Sequence, residues 1–144
     1  YGRNGMDASR IDSFLDATLV FGREAQVYLL GVNDISTELH QRMRGAFEFF
    51  LEGVERALGN TEYLAGDELT IADIAFVCDF SQFMRERLMR DGLDAASLPL
   101  VSEGSEADYP RAFAHLQRLV QQAEFAQYLE PYTEHFLGQN TDKP

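Results

Sequence analysis

The sequence has one cysteine, Cys78, in 144 residues. It can therefore form no intramolecular disulfide and no cysteine-based metal cluster, which fits a reducing, cytoplasmic setting. No apolar run reaches the ~18 residues that a membrane span requires, so no membrane is expected. No signal peptide is expected either. Positive charge is scarce: 12 Lys and Arg stand against 24 Asp and Glu, a formal net charge of -12. A surface that acidic repels phosphate, which argues against nucleic acid and anionic lipid. His40, His115 and His135 lie far apart with no paired ligand spacing, so no metal site is expected. Period-two alternation and tight hairpin turns between apolar runs are absent, so no strand is expected. There is no internal repeat. The chain starts at Tyr1 rather than methionine, and the expectation is a piece of a longer protein.

What is present is helical periodicity. Residues 1–6, with two glycines, read as a linker. A helical pattern opens at Asp7, and Ile11, Phe14, Leu15, Thr18, Leu19, Gly22, Ala25 and Tyr28 recur at three- and four-residue steps until Gly31, Asn33 and Asp34 interrupt them. A second helix starts after Ser36 and carries a wide apolar stripe from Leu39 to Leu58. Gly59-Asn60 stops it, where a left-handed residue is wanted. A third helix runs from Thr70 to about Met89, stopped by Asp91-Gly92. Residues 91–108 read as a long loop with room for a short helical turn. Pro110 suits the first turn of a fourth helix, and a short fifth segment runs from Glu124 to Glu130, ended by Pro131. Residues 7–137 form one all-α domain, and 138–144 a frayed tail.

The segment LAGDELTIADIA, Leu64 to Ala75, is the most informative. Thr70 as N-cap places Asp73 at N3. The Thr70 hydroxyl can accept from the Asp73 amide while the Asp73 carboxylate reaches back to the Thr70 amide, a capping box with Asp in place of Glu. Leu69 at N′ and Ile74 at N4 are placed for a hydrophobic staple. The helix that follows is apolar nearly all round, as a buried helix is. Thr70→Ala should cost about 1–2 kcal/mol. A catalytic use of Thr70 and Asp73 needs a third partner such as histidine, and none is near in sequence. No catalytic residue is therefore assigned.

Tyr63-Leu64-Ala65-Gly66-Asp67 followed by Leu69-Thr70-Ile71-Ala72-Asp73-Ile74 resembles the hallmark of the glutathione S-transferase C-terminal domain. Two long antiparallel helices before it and the segment from Tyr109-Pro110-Arg111 to Leu129 agree with that family's helical bundle. The resemblance covers roughly residues 1–131. It implies that a thioredoxin-like domain, carrying the catalytic Tyr, Ser or Cys and binding glutathione as substrate, precedes this chain in the full-length protein. It implies that the helical domain forms the hydrophobic co-substrate pocket and part of a homodimer interface, for detoxifying conjugation of electrophiles. The isolated fragment would then be inactive.

The resemblance points to the middle of the first helix for the pocket, where Arg23, Gln26, Val27 and Leu30 share one stripe. The plainer account makes Val27 and Leu30 core and Arg23 solvated. Cys78, on the buried helix, reads as an inert core thiol. Arg85, Arg87 and Arg90 read as complements to a helix dipole, Glu52 and Arg56 as an i,i+4 pair, and Phe49 as a contact for a partner domain or subunit. Two other functions compete. One is a non-catalytic interaction module, since domains of this type also occur in translation-factor and synthetase assemblies, with the acidic surface suited to a basic partner. The other is a stress or redox protein with isomerase or reductase activity.

Overall fold

The computed structural model describes residues 1–31 and 34–129. Val32 and Asn33, Pro131, His135 and the tail 138–144 lie outside the described residues. Helix α1 spans Gly5–Leu30 and α2 spans Thr37–Leu58. The central helix α3 is Ile71–Phe83, continued by a 3-10 segment Met84–Met89 and a short α4, Arg90–Ala95. A single turn, α5 (Ser105–Asp108), precedes α6 (Pro110–Val120), and residues 123–129 form α7. The described residues contain no strand, only an isolated bridge between Tyr63 and Gly66. The domain is all-α.

Helix α1 starts earlier than its apolar pattern. Asn4 Oδ1 accepts from the amides of Met6 and Asp7, at 2.9 and 3.0 Å. That N-cap draws Gly5 and Met6, expected in a linker, into the helix. α2 does end at Gly59, yet Gly59 has φ -73° and ψ -18°, not the expected left-handed conformation. The stop expected at Asp91-Gly92 falls inside α4. Burial of Leu93, Leu100 and Val101 in the common core draws the chain into a new turn there and overrides the local glycine signal.

α1 packs against both α2 and α3, and α6 closes the far side against α2 and α3. The core is aromatic. Phe21 stacks on Phe50 with ring centroids 4.5 Å apart, and meets Phe83 edge-on at 5.4 Å. Phe47 lies 5.2 Å from Phe83, and Phe80 meets Phe113 of α6 at 5.2 Å. On the surface, Arg42 of α2 grips Glu24 of α1 with two hydrogen bonds of 2.6 and 2.7 Å. The i,i+4 pair on α2 is Arg44 with Glu48, not Glu52 with Arg56. Glu52 and Arg56 are four residues apart, but spacing only permits such a pair.

Two buried carboxylates hold elements together. Glu86, fully buried in the 3-10 segment, accepts from Tyr28 Oη, the amides of Val101 and Ser102, and Ser102 Oγ, all within 2.8–3.1 Å. It thereby ties the loop after α4 to α1. The tyrosine stays protonated, because burial and the adjacent Glu86 charge raise its pKa far above the usual phenol range. The second carboxylate is Asp73.

Candidate binding groove

The capping box forms. Asp73 Oδ2 accepts from the Thr70 amide at 2.9 Å, and Thr70 receives the α3 amides in return. Leu69 and Ile74 flank it, both about 40% exposed. Asp73 does more than cap. Its Oδ1 accepts from the Leu64 amide at 3.0 Å and bonds His115 Nε2 of α6 at 2.8 Å. Folding thus supplies the histidine that is remote in sequence.

That histidine is not poised for catalysis. Arg118 Nη2 lies 2.9 Å from His115 Nδ1 and can only donate, so Nδ1 is the acceptor and Nε2 carries the proton given to Asp73. Both ring nitrogens are occupied, and the side chain is 2% exposed. Arg118 is itself held by the Glu62 carbonyl at 2.7 Å and lies 4.5 Å over the Tyr63 ring. Among the described residues no hydroxyl or thiol is bonded to either nitrogen. Asp73, His115 and Arg118 tie the start of α3 to α6 and to the loop before it. Spacing could not show His115, because the contact spans 42 residues.

α3 is not buried all round. Ala72, Phe76, Val77 and Phe80 face the core, whereas Ile71, Ile74 and Cys78 are exposed along one side. The expectation of a core position for Cys78 is therefore overturned. Its i, i+3, i+7 relation to Ile71 and Ile74 puts it on their face. Burial and the neighbouring Asp79 push its thiol pKa upwards, away from thiolate chemistry.

Beside this face lies a groove between α1 and the α3–3-10 arm. One part, of about 270 Å³, is lined by Leu19, Gly22, Arg23, Gln26, Asp79 and Gln82 among others. A second part, of about 310 Å³, is lined by Leu30, Arg85, Leu88 and Met89. Gln26, Leu29 and Gln82 line both, so the two parts are neighbours along one wall. Of the four residues expected at a pocket, Arg23, Gln26 and Leu30 line this groove. Val27 lines neither part and is exposed. It lies one position beyond Gln26, about 100° round the helix. The sequence reading missed Leu29, on α1 itself, and Asp79 and Gln82, which only the packing of α3 against α1 brings to α1's polar flank.

A larger cavity of about 600 Å³, between residues 1–10 and the loop 61–70, is lined mainly by polar groups, and Arg3 pairs with Glu68 at its edge. Arg87, in the last turn of the 3-10 segment, bonds Glu106 at 2.8 Å and so also clasps α5. Phe49 is 76% exposed. Among the described residues no three His, Cys, Asp or Glu side chains converge as metal ligands, and no helix is long and apolar enough to cross a membrane.

The family model for the glutathione S-transferase C-terminal domain matches residues 37–118, more than half of the chain. The chain belongs to this family. Searches of curated proteins and of solved structures found no match. Within this transferase-type domain, the match takes in the capping box, His115 and the α3 wall of the groove. The α1 wall lies upstream of it.

Proposed function

We propose that this chain is the co-substrate-binding half of a glutathione transferase. The observation that carries the reading is the two-part groove on a domain of this family, apolar at Leu29, Leu30, Leu88 and Met89, with two amides, Gln26 and Gln82, and charges at Arg23, Asp79 and Arg85. Such a mixture suits an apolar electrophile oriented by a few polar contacts. A preceding thioredoxin-like domain would bind glutathione and lower its thiol pKa. The thiolate would attack the electrophile's carbon, forming the C–S bond as the leaving group departs with its electron pair. The residues of this chain orient the electrophile and shed water from it. The exposed stripe of Ile71, Ile74 and Cys78 supports a second domain in cis, because among the described residues it is an apolar face open to solvent. Exposed Phe49 supports a homodimer contact, and the single cysteine a cytoplasmic setting.

The test is conjugation of glutathione to a chloronitrobenzene by the full-length protein and by this chain alone. The full-length protein should turn over and the fragment should not. Leu29→Trp should raise KM for the electrophile and leave KM for glutathione unchanged. Turnover by the fragment would overturn the assignment of the thiol chemistry to another domain. The net charge of -12 favours one other reading, a non-catalytic module docking a basic protein. It predicts a stoichiometric partner and no glutathione affinity in the full-length chain.

A further inference from the structure

Among the described residues Asp79 is the one carboxylate that lines the groove between α1 and α3, and none of them pairs with it. Its carboxylate lies against the bare backbone of Gly22 on α1: a Cβ there would stand 3.0 Å from Oδ2. Glycine at position 22 is what lets the carboxylate lie so close. No hydrogen bond or ion pair among the described residues engages either oxygen. In this it differs from the buried carboxylates of Asp73 and Glu86, which receive four hydrogen bonds each. Partial burial raises its pKa, as expected of a half-buried carboxylate with no donor beside it. A half-buried charge of this kind costs stability until something pairs with it.

The other charged groups lining the groove are Arg23, exposed on α1, and Arg85, in the adjoining part. Neither forms an ion pair with Asp79. The remaining wall near Asp79 is Leu19, Ala25 and Leu29, with the amides of Gln26 and Gln82. A ligand placed here meets an acceptor charge at Asp79, apolar surface at Leu19, Ala25 and Leu29, and the guanidiniums of Arg23 and Arg85 further along the walls. The molecule's net charge of -12 draws cations towards it.

We propose that the groove selects co-substrates that carry a protonated amine on an apolar body, with Asp79 accepting the ammonium. The proposal rests on the co-substrate reading of the groove for its biological use, and its binding chemistry can be measured separately. The ammonium donates to Asp79, Gly22 leaves room for the contact, and Leu29 with the adjoining apolar wall covers the body. A cation here restores the partner that the carboxylate lacks.

The experiment uses three naphthalene probes that differ in one group: naphthylmethylamine, naphthylmethanol and naphthylacetate. Their binding to the full-length protein is titrated calorimetrically at neutral pH, beside the conjugation assay. The amine should bind about tenfold more tightly than the alcohol, the size of one charge-assisted hydrogen bond, and the carboxylate more weakly still. Asp79→Asn, near-isosteric and breaking no bond of the fold, should abolish the preference. Gly22→Ala should weaken amine binding by displacing the carboxylate. Equal binding of amine and alcohol, or a preference that survives Asp79→Asn, would overturn the proposal. An Asp79-dependent preference without any conjugation would uphold it and sink the transferase reading. Conjugation of neutral electrophiles without amine preference would do the reverse.

Discussion

Asp73, like Glu86, joins several elements through one buried carboxylate. It caps α3, holds the Leu64 amide and fixes the tautomer of His115. Asp73→Ala would remove a cap and leave a buried imidazole N–H and a buried amide unpaired. The expected loss is about 3–5 kcal/mol, the sum of a capping term and two orphaned donors, read from urea unfolding. Tyr28 adds a pH dependence. Its phenol pKa is raised in the folded chain, so the folded state keeps the proton where the unfolded state releases it. The associated stability is complete below the unfolded phenol value of about 10 and is lost as pH rises above it. Tyr28→Phe should flatten that alkaline decline and cost roughly 1 kcal/mol at neutral pH, since Glu86 keeps its other three donors. Asp79 has the opposite character. Its raised pKa means that ionisation works against folding, so Asp79→Asn should leave the unfolding midpoint at neutral pH unchanged or higher. A residue that costs stability where it stands is one that folding alone does not account for.

At the scale of elements, helix starts show two ways of finishing a backbone. α3 is capped locally by Thr70 and Asp73, legible from four consecutive residues. α6 is capped from a distance. Pro110 at N1 has no amide to satisfy, and Tyr109 offers no side-chain cap. Glu55 of α2 accepts instead from the amides of Arg111 and Ala112, at 3.1 and 2.9 Å. Its charge also meets the positive end of the α6 dipole. Glu55→Ala should therefore destabilise the domain by about 1–2 kcal/mol, comparable to Thr70→Ala, although no motif marks it. Unfolding of the single and double variants would test this. The two caps serve different helices, so their effects should add. The arm after α3 follows the same logic. Local glycine predicts a stop, while buried Leu93 and the Glu86 hydrogen bonds carry the chain through a 3-10 segment into α4.

For the whole molecule, the exposed stripe on α3 decides what the chain is fit to do alone. Ile71 and Ile74 are 44% and 40% exposed, and Cys78 continues their face. The paired change Ile71→Ser with Ile74→Ser should alter the unfolding free energy of this chain by less than about 1 kcal/mol, since it removes no core contact. The same pair should destabilise the longer protein measurably if a preceding domain covers the stripe. Equal effects in both chains would show that nothing packs there.

The sequence by itself determined the helical class, the two long helices, the cap of α3 and the membership of the family. Each of these is written in local periodicity or in a short motif, where i, i+3 and i+4 neighbours suffice. Tertiary structure alone decided which face of each helix is covered. It brought His115 to Asp73, Glu55 to the start of α6 and Asp79 to Gly22, across 42, 56 and 57 residues respectively. It also moved Cys78 from the expected core to the surface. The apolar residues of α3 run round the whole helix, so periodicity cannot say which side is buried. That choice belongs to α1, α2 and α6, which leave one face uncovered beside the groove.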